Sequence, residues 1–326
     1  MATLERWVLA LATVLLISTP LPAAAQKSGT VLRVGFLSAT PQPDYEDLFW
    51  QELLRLGRVS GKDFAIERRS ANGNYEQLPK LAADLARLNV NVIVTAGTQA
   101  SIAAKKATGT IPIVMIGVSD PVGSGLVASL AHPGGNVTGT STVASEVPGK
   151  QLDLVRDLLP GVSRVAILWN PGNPVSQQQL RETKAAATKF RLALQVFEAR
   201  TPEDLDRAVA AAGKERAEAL VVLPDPMFVA HARRIVDLAT KQRLPVVSGV
   251  GAFAEAGAIA TYGADYSSAY RRAATFVDRI LKAAKPADLA VEQPAKFELA
   301  INSKAARTLG VTVPRTLIAR ADRVIR

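Results

Sequence analysis

Val90-Asn91-Val92-Ile93-Val94-Thr95 and Ile111-Pro112-Ile113-Val114-Met115-Ile116 are strand-sized apolar runs, and Thr98–Ala107 between them is an alanine-rich helical stretch. Apolar runs without alternation belong to strands buried on both faces, and a helix between two of them makes a parallel crossover. The same alternation extends outward. Val31–Leu37 reads as a strand, Tyr45–Leu56 as a helix ending at Gly57, and Phe64–Glu67 as a second strand. Asn74 is placed to cap a helix through Leu88, with Leu78, Leu81, Leu85 and Leu88 on one face.

The pattern then begins again. Arg164–Trp169, Ala193–Phe197, Ala219–Leu223 and Leu244–Val247 read as strands. Pro174–Phe190, Pro202–Ala212 (capped by Thr201) and Met227–Thr240 read as the helices between them. Arg33-Val34-Gly35-Phe36-Leu37 is matched by Arg164-Val165-Ala166-Ile167-Leu168, an offset of 131 residues. Asn91–Val94 is matched at Ala219–Val222 (offset 128) and Ile111–Val114 at Leu244–Val247 (offset 133). The near-constant offset predicts two similar α/β lobes with parallel sheets. A helix over Tyr266–Lys285, the run Phe297–Ile301 and a basic tail are too little for a third domain. They are expected to cross back to the first lobe and then return to the second, leaving a cleft between lobes.

Composition narrows the chemistry. The chain has 326 residues, 48% of them apolar, which is ample for buried cores. It has no cysteine, which excludes disulfides, thiolate zinc sites, iron–sulfur clusters and a cysteine nucleophile. His132 and His231 are the only imidazoles, too few for a three-histidine metal site. His132 precedes a Pro-Gly-Gly turn at the surface, and His231 falls inside a helix. Aromatic residues make up 5%, too few for a base-stacking surface. The formal charge is +10, but the basic pairs are dispersed and acids lie between them, so it reads as a solvated surface without nucleic acid. Residues 1–25 carry Arg6, an apolar run from Trp7 to Ile17, breakers at Pro20 and Pro22, and Ala23-Ala24-Ala25. That pattern predicts a signal peptide cleaved before Gln26, since a run of eleven residues falls short of the roughly 20 needed to span a bilayer.

Enzyme motifs are sparse. No Gly-Lys pair is followed by Ser or Thr, and neither a Gly-x-Ser-x-Gly elbow nor a His-Glu-x-x-His pair occurs. Gly249-Val250-Gly251-Ala252-Phe253-Ala254 fits a dinucleotide fingerprint in letters. It follows the last strand of its lobe and lacks the partner acid, so it reads as a strand–helix turn. No cofactor or metal is called for.

Ligands of parallel α/β sheets bind beyond the carboxyl ends of the strands. Here those ends carry Ser38, Thr98, Gln99, Ser119 and Asp120 in the first half, and Asn170, Asn173 and Asp225 in the second. Thr98 and Gln99 open a helix whose free N–H groups suit a carboxylate. Asp120 and Asp225 are placed to balance an ammonium, and Phe253 and Tyr262 to form an apolar wall. The set suits reversible capture of a small polar or zwitterionic molecule.

Val34–Ser38, Ser119-Asp120-Pro121-Val122-Gly123, Leu130–Gly139 with its Pro-Gly-Gly-Asn-Val-Thr-Gly run, Val291-Glu292-Gln293-Pro294 and Phe297–Asn302 carry a resemblance. The chain resembles periplasmic substrate-binding proteins of ABC transporters, in the family related to tryptophan- and tyrosine-binding proteins. The resemblance implies a type I periplasmic-binding-protein fold, with Rossmann-like lobes joined by crossover hinge strands. It implies cleft contacts at Ser38, Thr98, Gln99, Ser119, Asp120, Ser141, Asn170, Asn173, Ser176 and Asp225, and delivery of ligand to an inner-membrane permease.

The expected arrangement is a signal peptide (1–25), lobe 1 (31–140 plus about 265–293) and lobe 2 (142–262 plus about 296–326). Hinges are expected at Gly139-Thr140-Ser141 and Thr261-Tyr262-Gly263. The reading is a soluble, monomeric, non-enzymatic periplasmic receptor without a lipidation cysteine. A ligand sensor signalling to a membrane receptor, and an α/β enzyme using Asp225 or Asp120, are the alternatives.

Overall fold

A computed structural model describes residues 31–142, 147–294 and 297–326. The expected signal peptide and its cleavage before Gln26 lie outside the described residues. The first sheet contains β1 (Leu32–Ser38), β2 (Phe64–Ser70), β3 (Val92–Ala96), β4 (Ile113–Val118) and β5 (Val137–Ser141), in the order β2-β1-β3-β4-β5 and all parallel. The second contains β6 (Arg164–Trp169), β7 (Ala193–Glu198), β8 (Ala219–Val222), β9 (Val246–Ser248), β10 (Ala260–Ala264), β11 (Phe297–Asn302) and β12 (Arg323–Ile325). Its order is β12-β11-β10-β9-β8-β6-β7.

The apolar runs are continuous because each strand feeds two cores. In β3 and β4, Ile93, Ile113 and Met115 enter the core on one face, while Val92, Val94, Val114 and Ile116 enter the other. In β6, Val165 and Ile167 likewise oppose Ala166 and Leu168. Period-two alternation thus separates two apolar sets rather than an apolar and a polar one.

The helices are α1 (Pro43–Arg55), α2 (Leu78–Arg87), α3 (Thr98–Ala107), α4 (Val147–Leu158), α5 (Pro174–Phe190), α6 (Asp204–Lys214), α7 (Pro226–Ala230), α8 (Ala232–Lys241), α9 (Ala252–Ala256), α10 (Tyr266–Leu281), α11 (Ser303–Thr308) and α12 (Arg315–Arg320). Although α10 follows a strand of the second sheet, it buries Tyr270, Ala273, Phe276 and Val277 with Phe49 and Leu53 of α1 against the first. The chain therefore crosses between sheets after β5, again between β10 and α10, and again before β11.

Several expectations are corrected. The sheets are not wholly parallel, because β11 arrives from the other side and runs antiparallel to β10. Thr201 is not a helix cap: α6 starts at Asp204, whose carboxylate reaches back to accept from the N–H groups of Arg200 and Thr201. The helix expected over Met227–Thr240 is interrupted at His231, whose φ of −109° and ψ of 18° leave the helical basin. His231 is therefore a half-buried junction residue, with its pKa lowered by burial and by Arg234. Asn74 caps a single 3-10 turn over Tyr75–Gln77 that leads into α2. The elements β5, α4, β10 and β12 escape the sequence reading because they are short, or glycine-bearing, or rich in charge.

The hinge expectations fall inside strands. Gly139-Thr140-Ser141 ends β5, and Thr261-Tyr262-Gly263 lies in β10. The first crossover is tied to the third: Glu292 N–H donates to Gly139 O at 2.9 Å, and Ser141 N–H donates to Glu292 O at 2.8 Å. The Arg272 guanidinium, on α10, grips the Glu292 carboxylate through two nitrogens.

Candidate functional site

A cavity of about 190 Å³ lies between the two sheets. Its first-sheet side is Ser119, Asp120 and Thr142, which follow β4 and β5. Its second-sheet side is built by Gln151 of α4, by Val175, Gln179 and Glu182 of α5, and by the strand ends Leu223-Pro224 and Gly249. Tyr266 and Phe297 give it aromatic wall. A smaller cavity of about 50 Å³ adjoins it, sharing Ser119, Pro224 and Tyr266, and reaches Thr98, Gln99, Asn173 and Asp225. A larger open groove of about 620 Å³ passes the start of α1. There Arg323 is already paired with Glu298 and Glu255, and none of the unpartnered atoms described below lines it.

Tyr266 reaches the cavities because Gly117 yields to it. A Cβ at Gly117 would sit 2.9 Å from Tyr266 Cε1, and the backbone there has φ +64°. At the start of α3, Gly97 (φ +85°) supplies no side-chain cap, so the first N–H groups of the helix are free to face the smaller cavity. Thr98 Oγ1 also accepts from Ser119 N–H at 3.5 Å, which ties the ends of β3 and β4 together.

Asp225 is held on all sides. It caps α7 by accepting from Met227 N–H at 2.9 Å, and it accepts from Asn173 Nδ2 at 3.1 Å. Tyr75, in the 3-10 turn before α2, donates its hydroxyl to Asp225 at 2.8 Å. This bond joins the first-sheet half of the molecule to the second. Burial raises the Asp225 pKa above its ordinary value, against the lowering effect of these donors. Burial, then the neighbouring Asp225 charge, drive the Tyr75 hydroxyl well above its usual value. Asn170 lies beside this pair, and its Oδ1 accepts from Gly172 N–H at 2.9 Å.

The raised pKa has a testable sign. A carboxyl that binds its proton more tightly when folded loses stability as pH rises through its folded pKa, and regains it in acid. The melting temperature of the native protein minus that of Asp225→Asn is therefore expected to grow more positive as pH falls from neutrality toward the ordinary carboxylate range. Melting curves at matched pH check this; a difference independent of pH contradicts it.

Five buried polar atoms on or beside the lining residues have no hydrogen-bond partner among the described residues: Gln99 Nε2, Ser141 Oγ, Gln151 Oε1, Ser176 Oγ and Gln179 Oε1. An unpaired buried donor or acceptor costs about 1–3 kcal/mol, so such a cluster fits a surface built to bind something polar. Gln99, Gln151 and Gln179 line a cavity themselves, while Ser141 and Ser176 adjoin the lining residues Thr142 and Val175.

Of the residues singled out from sequence, Thr98, Gln99, Ser119, Asp120, Asn173 and Asp225 line one or both cavities. Ser141, Asn170 and Ser176 stand just behind. Ser38 ends β1 opposite Ala96 and lines neither cavity. Phe253 is not a wall of the cleft: it is 1% exposed, in the core under α8 and α9. Tyr262 packs on the other core and stacks on Phe297 with centroids 6.1 Å apart. Sequence reasoning missed Tyr75, Gln151, Gln179, Glu182, Tyr266 and Phe297. Only Tyr266 carried a signal, since Asp265 caps α10 immediately after the β10 strand.

Residues 49–325 match the family described as ABC transporter substrate binding protein. The chain belongs to this family. A tyrosine-binding protein of Clostridioides difficile (strain R20291) is 26% identical over 276 residues, covering 84% of this chain and 75% of that one. A conserved domain protein of Vibrio cholerae is 29% identical with a TM-score of 0.83, over 90% of this substrate-binding protein and all of that chain. An ABC domain from Streptococcus pneumoniae, solved in complex with L-Trp, is 25% identical with a TM-score of 0.81, over 91% of this chain and all of that one. The family consists of binding proteins, not enzymes, which sets aside the acid-catalyst reading of Asp225 and Asp120. Among the described residues, no helix of this substrate-binding protein is long and apolar enough to cross a membrane.

Proposed function

We propose that this substrate-binding protein captures an amino-acid zwitterion between its two sheets and delivers it to an ABC permease. The carrying observation is the set of unpartnered buried polar atoms, contributed by both halves of the chain, around two adjoining cavities. The free N-terminus of α3, with Thr98, Gln99 and Ser119, receives the carboxylate. Asp120 receives the α-ammonium. Asp225, occupied by donors from Tyr75, Asn173 and Met227, holds Asn173 and Tyr75 in place instead of contacting the ligand's charge. Ser141, Asn170 and Ser176 complete the contacts on closure, with Ser38 behind them.

The cavity's size supports a small ligand: about 190 Å³ is below the roughly 300–1,000 Å³ of drug-sized sites. The names of the relatives support the amino-acid class, one being a tyrosine-binding protein and another being solved with L-Trp. Two lobes, 31–140 plus about 265–293 and 142–262 plus about 296–326, close about the crossovers that follow β5 and β10, just beyond Gly139–Ser141 and Thr261–Gly263. Residues 1–25 direct export to the periplasm, where the protein acts as a monomer.

A thermal-shift panel of amino acids, sugars, purines and short peptides tests the reading. At least one amino acid is expected to raise the melting temperature saturably, because a ligand that binds only the native state stabilises it by mass action. Small-angle scattering with that ligand is expected to show compaction. A flat response to all amino acids overturns the amino-acid reading, and a flat response across all four classes overturns the receptor reading.

A further inference from the structure

We infer that the ligand's side chain ends in a positively charged nitrogen group, an ammonium or guanidinium, received by the α4–α5 wall of the cavity. The inference rests on the amino-acid reading above and names the class within it. Although the chain carries 39 basic and 29 acidic residues, the charged residues lining the cavity of about 190 Å³ are Asp120 and Glu182, with no Lys, Arg or His. Among the described residues neither has an ion-pair partner. The Glu182 carboxylate accepts a hydrogen bond from Gln178 Nε2 at 3.0 Å, and Asp120 accepts from Gly123 N–H at 2.8 Å.

Gln151 is independent of these acids and points the same way. It is 1% exposed, and its Nε2 donates to Tyr262 O at 3.3 Å. A carbonyl can only accept, so that bond fixes which end of the amide is nitrogen. The remaining Oε1 is buried and unpartnered. Gly249 leaves room for this placement, since a Cβ there would lie 2.6 Å from Gln151 Nε2. Gln179 presents a second unpartnered Oε1 from α5, one turn before Glu182. The second-sheet wall thus carries the Glu182 carboxylate and two residues whose amide oxygens are buried without a partner, beside Gln178, whose amide nitrogen is already donated to Glu182. A group with several N–H donors and no acceptor satisfies all three, whereas a neutral ring end leaves most of them unpaired. The faces of Tyr266 and Phe297 are compatible with such a cation.

Isothermal titration calorimetry of the mature protein with L-lysine, L-arginine, L-norleucine, L-tyrosine, L-tryptophan and L-phenylalanine tests this. Lysine or arginine is expected to bind at least tenfold tighter than norleucine and the aromatic amino acids. Glu182→Gln, a half-buried helix-surface change, and Gln151→Met are each expected to shrink the lysine-to-norleucine ratio at least tenfold, with melting curves verifying the fold. If an aromatic amino acid binds tightest, the cationic assignment is overturned while the amino-acid receptor reading stands. If no amino acid binds, both fail. A lysine preference that survives both substitutions overturns the assignment of the acceptor wall.

Discussion

Replacing Gly139 with alanine is expected to destabilise the protein by about 3 kcal/mol or more, among the larger single-residue effects. Gly139 sits in β5 with φ +133°, where L side chains are strained. Its missing Cβ would lie 2.1 Å from Met115 O and 2.7 Å from Met115 N. Those are backbone atoms of the neighbouring strand β4, whose six residues are all buried, so they have no direction in which to yield. The same residue accepts from Glu292 N–H, so the strain falls where two crossovers are joined. Gly109 and Gly135 provide controls, because nothing lies within 4 Å of a Cβ at either and neither has positive φ. Alanine there is expected to stay within about 0.5 kcal/mol of the native protein. Urea midpoints with unchanged slopes measure both; a Gly139→Ala protein as stable as the controls contradicts the reading.

Tyr75→Phe is expected to weaken ligand binding by about tenfold to a hundredfold while the aromatic packing of the ring remains. The substitution deletes one hydroxyl, 2.8 Å from a carboxyl that is 2% exposed. A buried hydrogen bond to such a group is worth roughly 1–3 kcal/mol when only one partner is removed. Tyr75 belongs to the first-sheet half and Asp225 to the second, so this bond exists only when the halves are together. Its loss lowers the population of the binding-competent arrangement, and apparent affinity falls by that fraction. Calorimetry with the best ligand of the panel gives the affinity, and small-angle scattering of the free protein gives the change in compaction. An unchanged affinity removes Tyr75 from the proposed closure.

Much of the framework is legible in local chemistry. Arg164–Trp169 and Thr98–Ala107 appear at the boundaries read from periodicity, because their apolar spacing has no competing interpretation. Asn74, Asn173 and Asp225 each accept from an N–H two residues on, as caps do. The strand ends also announce polar groups near a cleft, since parallel sheets place their carboxyl edges there. The rest of the candidate site was hidden. Gln151, Gln179 and Glu182 lie on helices, where a polar residue facing a cavity has the same local sequence as one facing water. Phe253 illustrates the reverse error: an aromatic residue beside a glycine-rich turn looks like a wall, yet its helix turns it inward to the core.

From the sequence alone come the α/β class, the repeated strand–helix unit, the absence of thiol and three-histidine metal chemistry, and the strand ends where polar groups gather. These follow from composition and from side-chain periods of two and 3.6, which act within a few residues of chain. Only the tertiary structure decides that α10 covers the first sheet after leaving the second, that β11 runs antiparallel to β10, that Tyr75 meets Asp225, and that acceptors line one wall of the cavity. Each of these brings together groups far apart in the chain: Tyr75 and Asp225 are separated by 150 positions. Burial and partner, which set the pKa of Asp225 and leave Gln151 Oε1 unpaired, exist only after the crossovers have brought the two sheets together.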